Sequence, residues 1–415
     1  MNIVIFSDTF LPKIDGVAIS VDHFSRILAG RGHKFVICCP RYGEGDFDRI
    51  GDDIHIVRFK NAPLPSYPDI KVVLPSRKRI KRAMEMFKPD VVHIQSPGPL
   101  GQYGILAARM YGVPVVGTYH TLISEQDTYI SMYRLLKMDS MLDFFWAGKK
   151  IKKRLEKFER SPAKALKKKL IMRLCNSVYE TGKLIISPSQ MIKKELLDHG
   201  VKTPIEVISN GMDLSRFTGQ VKTAPASAPR LLHVGRISYE KNCEVVLRAF
   251  QTIRKQKPDA TLDVYGDGPA LDSLKIEART LGIAGSVDFK GFVDRNQLPD
   301  IYPRYDLFLT ASTMETQGLV VLEAISCGVP CVGVDAFALP ELIEHERNGY
   351  IVKSFDHAAM AERALEILDH PELFRMFSEA GLKLSRSHDI EKCADRLEAA
   401  YAGLAQANNP PVGAA

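Results

Sequence analysis

Short runs of valine, isoleucine and leucine recur along the chain, and longer amphipathic stretches separate them. A first series lies at 2–6, 35–39, 90–94, 114–118, 183–187 and 206–209. A second series follows the Pro/Ala/Ser-rich stretch 220–230, at 231–234, 261–265, 287–290, 306–310 and 330–334. Near-continuous apolarity predicts strands buried on both faces, as in parallel sheets covered by helices. Two such series predict an α/β protein with two doubly wound domains that face each other across a cleft.

The length of 415 residues agrees with two domains, because one hydrophobic core seldom grows that large. We expect an N-terminal domain over 1–216, a linker over 217–229 and a C-terminal domain over 230–385. A helical pattern over 386–405 is expected to pack back on the first domain. The remaining residues, 406–415, have the composition of a disordered tail.

Several classes of protein are disfavoured by the composition. No stretch has the roughly 20 consecutive, predominantly apolar residues of a membrane-spanning helix. The first ten residues lack the basic start and long apolar segment of a signal peptide, which predicts a cytoplasmic protein. The seven cysteines form no Cys-x-x-Cys pair, so neither a disulfide framework nor a structural metal site is indicated.

Charge is distributed unevenly along the chain. Residues 1–210 carry 34 Lys+Arg against 21 Asp+Glu, whereas the remainder carries 22 against 28. A basic half indicates an anionic partner, either nucleic acid or an anionic membrane face. The strongest basic runs lie at 71–82 and 149–169, and the second follows the aromatic stretch 141–148.

The basic run 149–169 has an apolar stripe at helical spacing with lysines around it. This pattern is typical of a helix adsorbed to an anionic bilayer, although a solvated helix packed on its own domain has the same pattern. No nucleic-acid-binding motif accompanies the charge, which disfavours nucleic acid as the partner.

Two turns of the second domain follow predicted strands. In the stretch 233–242, Gly235 allows a tight turn, and Arg236 and Lys241 flank a helix start. Two cations beside free helix amides suit a diphosphate, while the alternative is an ordinary helix cap. The stretch 264–269 begins like a dinucleotide fingerprint but lacks its third glycine, which favours a structural turn.

The stretch METQGLVVLE places Glu315 and Glu323 eight positions apart. It predicts a loop followed by a helix, whose first amides, at 318–320, would hold an anion. Glu323, one to two turns inside the helix, is expected to receive ribose hydroxyls. Phe292 follows another predicted strand and is a candidate for contact with a nucleotide base.

Taken together, the stretches GRISYEKN, Glu-x7-Glu and SCGVPCVG resemble the donor site of retaining glycosyltransferases of family 4, which have the GT-B fold of two Rossmann-like domains. The stretches SDTFLPKIDGVAISV, YHT and SNGMD resemble further motifs of that family, so the likeness covers nearly the whole chain. Each motif is weak alone, but their order is specific.

The resemblance implies a role for each matching residue. Arg236 and Lys241 would bind the donor diphosphate, and Gly16 would let the first loop approach it. Glu315 would face the transferred sugar and His120 would lie near the acceptor, as the two catalytic residues. The amides of Leu319 and Val320 would contact phosphate, and the sugar, ribose and base would contact Gln317, Gly318, Glu323 and Phe292. Family members need no metal ion or cofactor, and we expect none to be needed here.

The residues after the first glutamate indicate the acceptor. Many family members have Phe-Gly there, whereas Thr316, Gln317 and Gly318 resemble the diacylglycerol glycosyltransferases. We therefore expect transfer of glucose from UDP-glucose to a diacylglycerol-type lipid, at the inner face of the cell membrane. Two alternatives are a GDP-mannose-dependent mannosyltransferase acting on a phosphatidylinositol-like lipid and a catalytically silent nucleotide-sugar sensor.

Overall fold

The computed structural model describes residues 1–13, 15–42, 47–64, 67–74, 76–120, 173 and 175–408. The chain divides into two compact units. The first comprises Met1–Ser187, Lys193–Val207 and Leu397–Ala415, and the second comprises Pro188–Ile192 and Ile208–Arg396. The basic run 149–169, its aromatic neighbours and residues 409–415 lie outside the described residues.

The expected linker 217–229 is packed against the second unit. Gly219 donates its amide to the Ser326 carbonyl at 2.9 Å, and Lys222 donates its amide to the Ser378 hydroxyl at 2.9 Å. These contacts place the expected linker within the second unit, whose longer segment runs from Ile208 to Arg396.

The first unit is built on an eight-stranded sheet in the order β10-β9-β8-β7-β1-β2-β4-β3. All neighbours are parallel except the edge strand β3, which pairs antiparallel with β4. The strands are β1 Asn2–Phe6, β2 Lys34–Pro40, β3 Phe47–Ile50, β4 Ile54–Phe59, β7 Val91–Ile94, β8 Val115–Thr118, β9 Leu184–Ser187 and β10 Ile205–Val207. A separate antiparallel hairpin comprises β5 Asn61–Leu64 and β6 Tyr67–Val73.

The second unit is built on a six-stranded parallel sheet in the order β13-β12-β11-β14-β15-β16. Its strands are β11 Arg230–Val234, β12 Thr261–Tyr265, β13 Val287–Gly291, β14 Leu307–Leu309, β15 Cys331–Val334 and β16 Gly349–Val352. The chain builds outward from β11 in one direction, then returns to place β14 on its other side. This reversal of strand order creates a crevice at the carboxyl ends of β11 and β14, where doubly wound sheets bind ligands.

Helices accompany both sheets, and their caps explain several boundaries. Asp15 accepts the Ala18 amide at the start of the first helix, and Ser76 accepts the Arg79 amide at the start of the second. Gly112, at a left-handed φ of 67°, ends the third. The helices are α1 Gly16–Gly30, α2 Arg77–Phe87, α3 Pro99–Tyr111, α4 Gln190–Asp198, α5 Cys243–Gln256, α6 Leu271–Thr280, α7 Leu298–Ile301, α8 Leu319–Ser326, α9 Leu339–Leu342, α10 His357–Asp369, α11 Pro371–Ser385 and α12 Ile390–Asn408.

The last helix, α12, begins in the second unit and from Leu397 onward belongs to the first. Its Tyr401 hydroxyl lies 2.6 Å from His93 Nδ1, and its Glu398 forms an ion pair with Arg31 at 2.8 Å. The helix thus starts four residues later than the sequence pattern indicated and ends at Asn408, within the stretch expected to be disordered.

In the described part of the chain, no helix is both long enough and apolar enough to cross a membrane.

Candidate active site

The crevice of the second unit receives side chains from two loops. The turn after β11 carries Arg236 and Lys241, and the loop after β14 carries Glu315. Lys241 Nζ lies 2.5 Å from Glu315 Oε1, and the two side chains are 19% and 15% exposed. The structure therefore brings together a cation and a carboxylate that are 74 positions apart in sequence.

A buried asparagine joins these two loops. Asn242 has a left-handed φ of 48°, and its Nδ2 donates to the Ala311 carbonyl and the Thr313 hydroxyl at 3.1 and 3.2 Å. Thr313 also donates its amide to the Glu240 carbonyl at 3.3 Å. The sequence analysis did not single out Asn242, although asparagine is the side chain that most readily adopts this backbone conformation and bonds locally.

The turn after β11 is hydrogen-bonded to the turn after β12. Gly235 donates its amide to the Tyr265 carbonyl at 3.0 Å, and Ile237 donates to the Asp267 carbonyl at 2.8 Å. A Cβ at Gly266 would lie 1.8 Å from the Gly235 carbonyl oxygen. The glycines of 264–269 thus allow two backbones to approach closely, which is a structural role.

Arg236 extends into solvent, with its side chain 70% exposed, and its Nη2 lies 2.5 Å from Glu240 Oε1. Ser238 donates its hydroxyl to the same carboxylate oxygen at 2.5 Å. Burial raises the pKa of Glu240, but the bonds from Ser238 and Arg236 outweigh it and leave the pKa below its ordinary value. Glu240 therefore stays ionised and holds Arg236 beside the crevice.

The helix α8 begins at the crevice without a side-chain cap. Gly318 precedes it at a φ of 88°, a conformation that glycine adopts without strain, and its carbonyl accepts the amides of Val321 and Leu322. The amides of Leu319 and Val320 are at the first turn of the helix, where free N–H groups favour an anion. The helix thus begins where the sequence predicted, and the binding of phosphate there remains a prediction.

Glu323 lies one turn inside α8 and is only 3% exposed. Arg295 donates from both Nε and Nη2 to Glu323 Oε1 at 2.9 Å, and Tyr302 donates its hydroxyl to Oε2 at 2.9 Å. Burial raises the Tyr302 pKa well above its ordinary value, with the Glu323 charge adding to the effect. The structure thus gives Glu323 two protein partners, Arg295 and Tyr302, which the expectation of a purely ribose-binding carboxylate did not include.

Gln317 differs from its expected placement as a sugar or ribose contact. Its Oε1 accepts the Asn210 amide at 2.9 Å, and its Nε2 donates to the Ser209 hydroxyl at 2.6 Å. With 3% of the residue exposed, the side chain points into the protein and ties the loop to the turn at 209–211. Both of its polar atoms are engaged by this turn, so the structure assigns it a supporting position.

Phe292 directly follows β13 and is 67% exposed. An exposed aromatic ring at the carboxyl end of a strand is available for contact with a planar ligand, and its expected role as a base contact remains a prediction.

In the first unit, His120 follows β8 and is 8% exposed. Its Nε2 lies 2.6 Å from Gln95 Oε1. Because an amide oxygen only accepts, Nε2 must carry the proton and Nδ1 keeps its lone pair. Burial lowers the pKa of His120 to about 4, so the imidazole is neutral near pH 7. Gln95 follows β7 directly, and this position at the carboxyl end of a central strand is the signal by which the sequence analysis could have found it.

A second buried histidine lies beside this pair. His93 contacts the Tyr401 hydroxyl through Nδ1 and the Thr118 hydroxyl through Nε2, at 2.6 and 2.7 Å. Burial lowers its pKa to about 3, with the proximity of His120 contributing.

Gly16 is the first residue of α1, directly after the capping Asp15. The Asp15 carboxylate also accepts the Thr9 hydroxyl at 2.6 Å, which ties the loop after β1 to the helix start. Gly16 thus lies at a helix N-terminus, and its expected approach to phosphate remains a prediction.

Comparisons with known proteins agree with this geometry. The family model described as Glycosyltransferase Family 4 matches residues 14–216, and the one described as Glycosyl transferases group 1 matches residues 217–384. The alpha-monoglucosyldiacylglycerol synthase of Streptococcus pneumoniae is 29% identical over 361 residues, covering 84% of this chain and 74% of that protein. A GDP-mannose-dependent alpha-mannosyltransferase of Mycobacterium tuberculosis is 26% identical over 370 residues, covering 86% and 85%.

Among solved structures, the sucrose-phosphate synthase of Thermosynechococcus elongatus superposes with a TM-score of 0.73 at 18% identity, covering 98% of this chain and 99% of that one. The fold is therefore GT-B, as the sequence motifs indicated. With both family models matched in chain order and the predicted motifs at the sheet edges, the chain belongs to the family 4 glycosyltransferases.

Proposed function

We propose that this glycosyltransferase moves glucose from UDP-glucose onto a diacylglycerol-type membrane lipid, with retention of the anomeric configuration. The observation that carries the proposal is the Lys241–Glu315 pair beside the uncapped start of α8. The acceptor is supported by the likeness to a synthase named for monoglucosyldiacylglycerol.

The donor diphosphate would bind between the turn after β11 and α8. Lys241 supplies a fixed positive charge, and Arg236 supplies a second on an exposed, rotatable side chain. The Leu319 and Val320 amides add the positive end of the helix dipole. Charge developing on the leaving phosphate is then balanced by protein groups, so the proposed reaction requires no metal ion.

Transfer would proceed on one face of the sugar. The acceptor oxygen forms a bond to the anomeric carbon, the bond to the diphosphate breaks, and the acceptor proton passes to a leaving phosphate oxygen. Glu315 would lie beside the sugar, where its carboxylate stabilises positive charge developing at the anomeric carbon. Lys241 then has two tasks, since it also holds this carboxylate at 2.5 Å.

His120 would orient the hydroxyls of the acceptor. Its neutral imidazole presents the Nδ1 lone pair as an acceptor, because Gln95 holds the proton on Nε2. A histidine kept neutral by burial performs this task without titrating near pH 7.

The lipid acceptor requires contact with a membrane surface, for which α2 is suited. Arg77, Lys78, Lys81 and Arg82 are exposed on this helix, while Ile80 and Met84 are buried against the unit. Exposed apolar side chains lie at its two ends, Leu74 at 62% and Met86 at 73%. Basic residues around apolar ones suit a negatively charged bilayer, and we propose peripheral association with the inner face of the cell membrane.

A second candidate function is mannosyl transfer from GDP-mannose to a phosphatidylinositol-like lipid. The observation that favours it is the likeness to a mannosyltransferase over 86% of the chain. Both candidates use the same diphosphate and carboxylate geometry and differ in base, sugar and acceptor.

One experiment separates the candidates. The purified protein is incubated with each of a panel of UDP- and GDP-sugars, together with vesicles containing diacylglycerol or phosphatidylinositol, and products are identified by mass spectrometry. We expect a glucosyl diacylglycerol product from UDP-glucose alone. A mannosyl phosphatidylinositol product would establish the second candidate instead. Transfer to soluble sugars with none to lipid would contradict both.

A further inference from the structure

We propose that Gln317 is a positioning residue: with Ser209 and His388 it forms a hydrogen-bond relay that holds the donor loop, residues 315–318, in its binding position. This inference rests on the proposed function of that loop. Many family members have Phe-Gly at this point of the motif, and the relay gives a reason for the glutamine, Gln317, that this chain has instead.

The first link is the Gln317 side chain. Both of its polar atoms are engaged by one turn, with Oε1 accepting the Asn210 amide at 2.9 Å and Nε2 donating to the Ser209 hydroxyl at 2.6 Å. Gln317, Asn210 and Ser209 are 3%, 8% and 9% exposed. A buried amide with both partners satisfied holds one orientation, because rotation would leave polar groups unpaired.

The second link is the Ser209 hydroxyl. A hydroxyl accepts two hydrogen bonds and donates one, and this count fixes the direction of the relay. Its oxygen accepts from Gln317 Nε2 and also from the Gly211 amide at 3.1 Å, which uses both lone pairs. Its single hydrogen then donates to His388 Nδ1, 2.9 Å away. His388 Nδ1 must therefore be unprotonated while the relay is intact.

One end of the relay adjoins the donor loop, and the other adjoins the start of α12. Gln317 is two residues after Glu315, which is paired with Lys241, and directly precedes Gly318 at the start of α8. At the other end, the His388 carbonyl accepts the Met212 amide at 2.7 Å, and Ile390 donates to the Met212 carbonyl at 3.0 Å. The relay thus links the donor loop to two other segments of the second unit, residues 208–212 and 388–390.

Few ionisable groups surround the relay. The turn at 209–212 and Gln317 contribute none, and the adjacent Glu315 is paired with Lys241. The start of α12 contributes the Cys393 thiol, whose pKa burial raises to about 11 and whose sulfur is a weaker acceptor for the Ser209 hydrogen than the His388 nitrogen. The charged side chains around that thiol are Asp389, Lys392 and Arg396. Burial lowers the pKa of His388, so the neutral form required by the relay is the stable one near pH 7.

Replacing the amide by a carboxylate reverses the relay. In Gln317→Glu, one carboxylate oxygen still accepts the Asn210 amide, but the other only accepts, so the Ser209 hydrogen turns toward it. His388 Nδ1 then has to donate to the Ser209 oxygen, which a neutral imidazole does by carrying its proton on Nδ1 instead of Nε2, and which an imidazolium does as well. The variant should therefore keep its relay at acidic pH, where the relay of wild type, which needs an unprotonated Nδ1, is lost.

The test compares pH profiles of kcat and KM for transfer from UDP-glucose by wild type, Gln317→Glu, Gln317→Met and the control Gln251→Glu. Gln251 is a half-buried glutamine of α5 whose Nε2 donates to the Leu281 carbonyl. We expect Gln317→Met to raise the donor KM about tenfold at every pH, as for loss of one net hydrogen bond. We expect Gln317→Glu to resemble wild type at pH 8 and to keep its KM as the pH falls through the His388 titration, where the KM of wild type rises, with the control unchanged. A Gln317→Glu profile parallel to that of wild type overturns the proposal.

A second readout is independent of turnover. In histidine-labelled protein, the ¹⁵N resonance of His388 Nδ1 should have the shift of an unprotonated nitrogen in wild type, and Gln317→Glu should raise the His388 pKa. A protonated Nδ1 in wild type at neutral pH overturns the relay even if transfer is normal. Absence of transfer with the expected nitrogen shifts would contradict the proposed function and leave the relay standing.

Discussion

Lys241 Nζ and Glu315 Oε1 lie 2.5 Å apart, with neither side chain more than 19% exposed. We expect Lys241→Ala to weaken donor binding about a hundredfold, because it removes a charge from the diphosphate site and leaves Glu315 unpaired. Glu315→Ala should retain the fold and donor binding but abolish measurable transfer. Calorimetric titration with UDP-glucose, together with turnover of both variants, checks this. Normal turnover in either variant would contradict the assigned roles.

The Arg295–Glu323 pair makes a different prediction, concerning stability. Arg295→Met leaves a carboxylate that is 3% exposed without its cation, and breaking a buried pair in this way costs about 3–5 kcal/mol of unfolding free energy. The matched control is Arg248→Met, which breaks the exposed pair with Glu277 and should cost less than about 1 kcal/mol. Denaturant unfolding of both variants measures the difference, and equal costs would show that burial of Glu323 is unimportant.

Gly266 and Gly285 provide a paired test of backbone packing. A Cβ at Gly266 would meet the Gly235 carbonyl oxygen at 1.8 Å, whereas a Cβ at Gly285 has nothing within 4 Å. We expect Gly266→Ala to displace the turn that carries Arg236, which should weaken nucleotide binding and lower the melting temperature. Gly285→Ala should change neither. Binding and melting are measured on the same samples, and an unaffected Gly266→Ala protein would disprove the close approach.

The buried histidines of the first unit predict how stability depends on pH. Burial lowers the pKa from 6.5 to about 4 for His120 and to about 3 for His93. Between each lowered pKa and 6.5, the unfolded chain therefore binds more protons than the folded one. The free energy of unfolding that these two histidines contribute by being buried as neutral imidazoles is fully present above pH 6.5. It decreases as the pH falls toward 4. Melting temperatures measured across this range should show the decline, and His120→Asn should make it shallower. A variant with the wild-type slope would exclude His120 as a source.

Membrane association is tested on α2. Changing Arg77, Lys78, Lys81 and Arg82 to glutamine should reduce binding to anionic vesicles by at least about a hundredfold, since each basic residue contributes on the order of 1 kcal/mol near such a surface. Binding of wild type should also fall as salt increases. The control changes four exposed cations of the second unit, Lys255, Arg279, Lys353 and Lys383, and should have little effect. Equal losses in both variants would indicate non-specific attraction.

Most strands of the two central sheets were predictable because burial on both faces leaves uninterrupted apolar runs. The expected strand 261–265 agrees with β12 in both of its boundaries, and 2–6 agrees with β1. The missed strands lack this signature: β5 contains a proline, and β4 alternates polar and apolar residues along Ile54–Phe59. β16 has only two aliphatic residues, Ile351 and Val352, and so lacks a long apolar run.

The loops that carry the site residues could be predicted from the sequence, but the hydrogen-bond partners of those residues could not. The positions of Arg236, Lys241 and Glu315 followed from the strand-then-loop pattern, since parallel strands end at one edge of the sheet. The engagement of Gln317 with Ser209 and of Glu323 with Arg295 depends on residues 108 and 28 positions away. Spacing within a motif contains no information about such contacts.

The final helix has a consequence for how the protein is made. Tyr401 on α12 bonds with His93 across 308 positions of sequence, and Leu397 onward belongs to the first compact unit. A ribosome therefore synthesises most of this unit early, yet His93 gains its partner only after nearly the whole chain has emerged. N-terminal domains usually fold first during synthesis. Here the first unit, although most of it is translated first, gains its last helix only after the second unit has been synthesised.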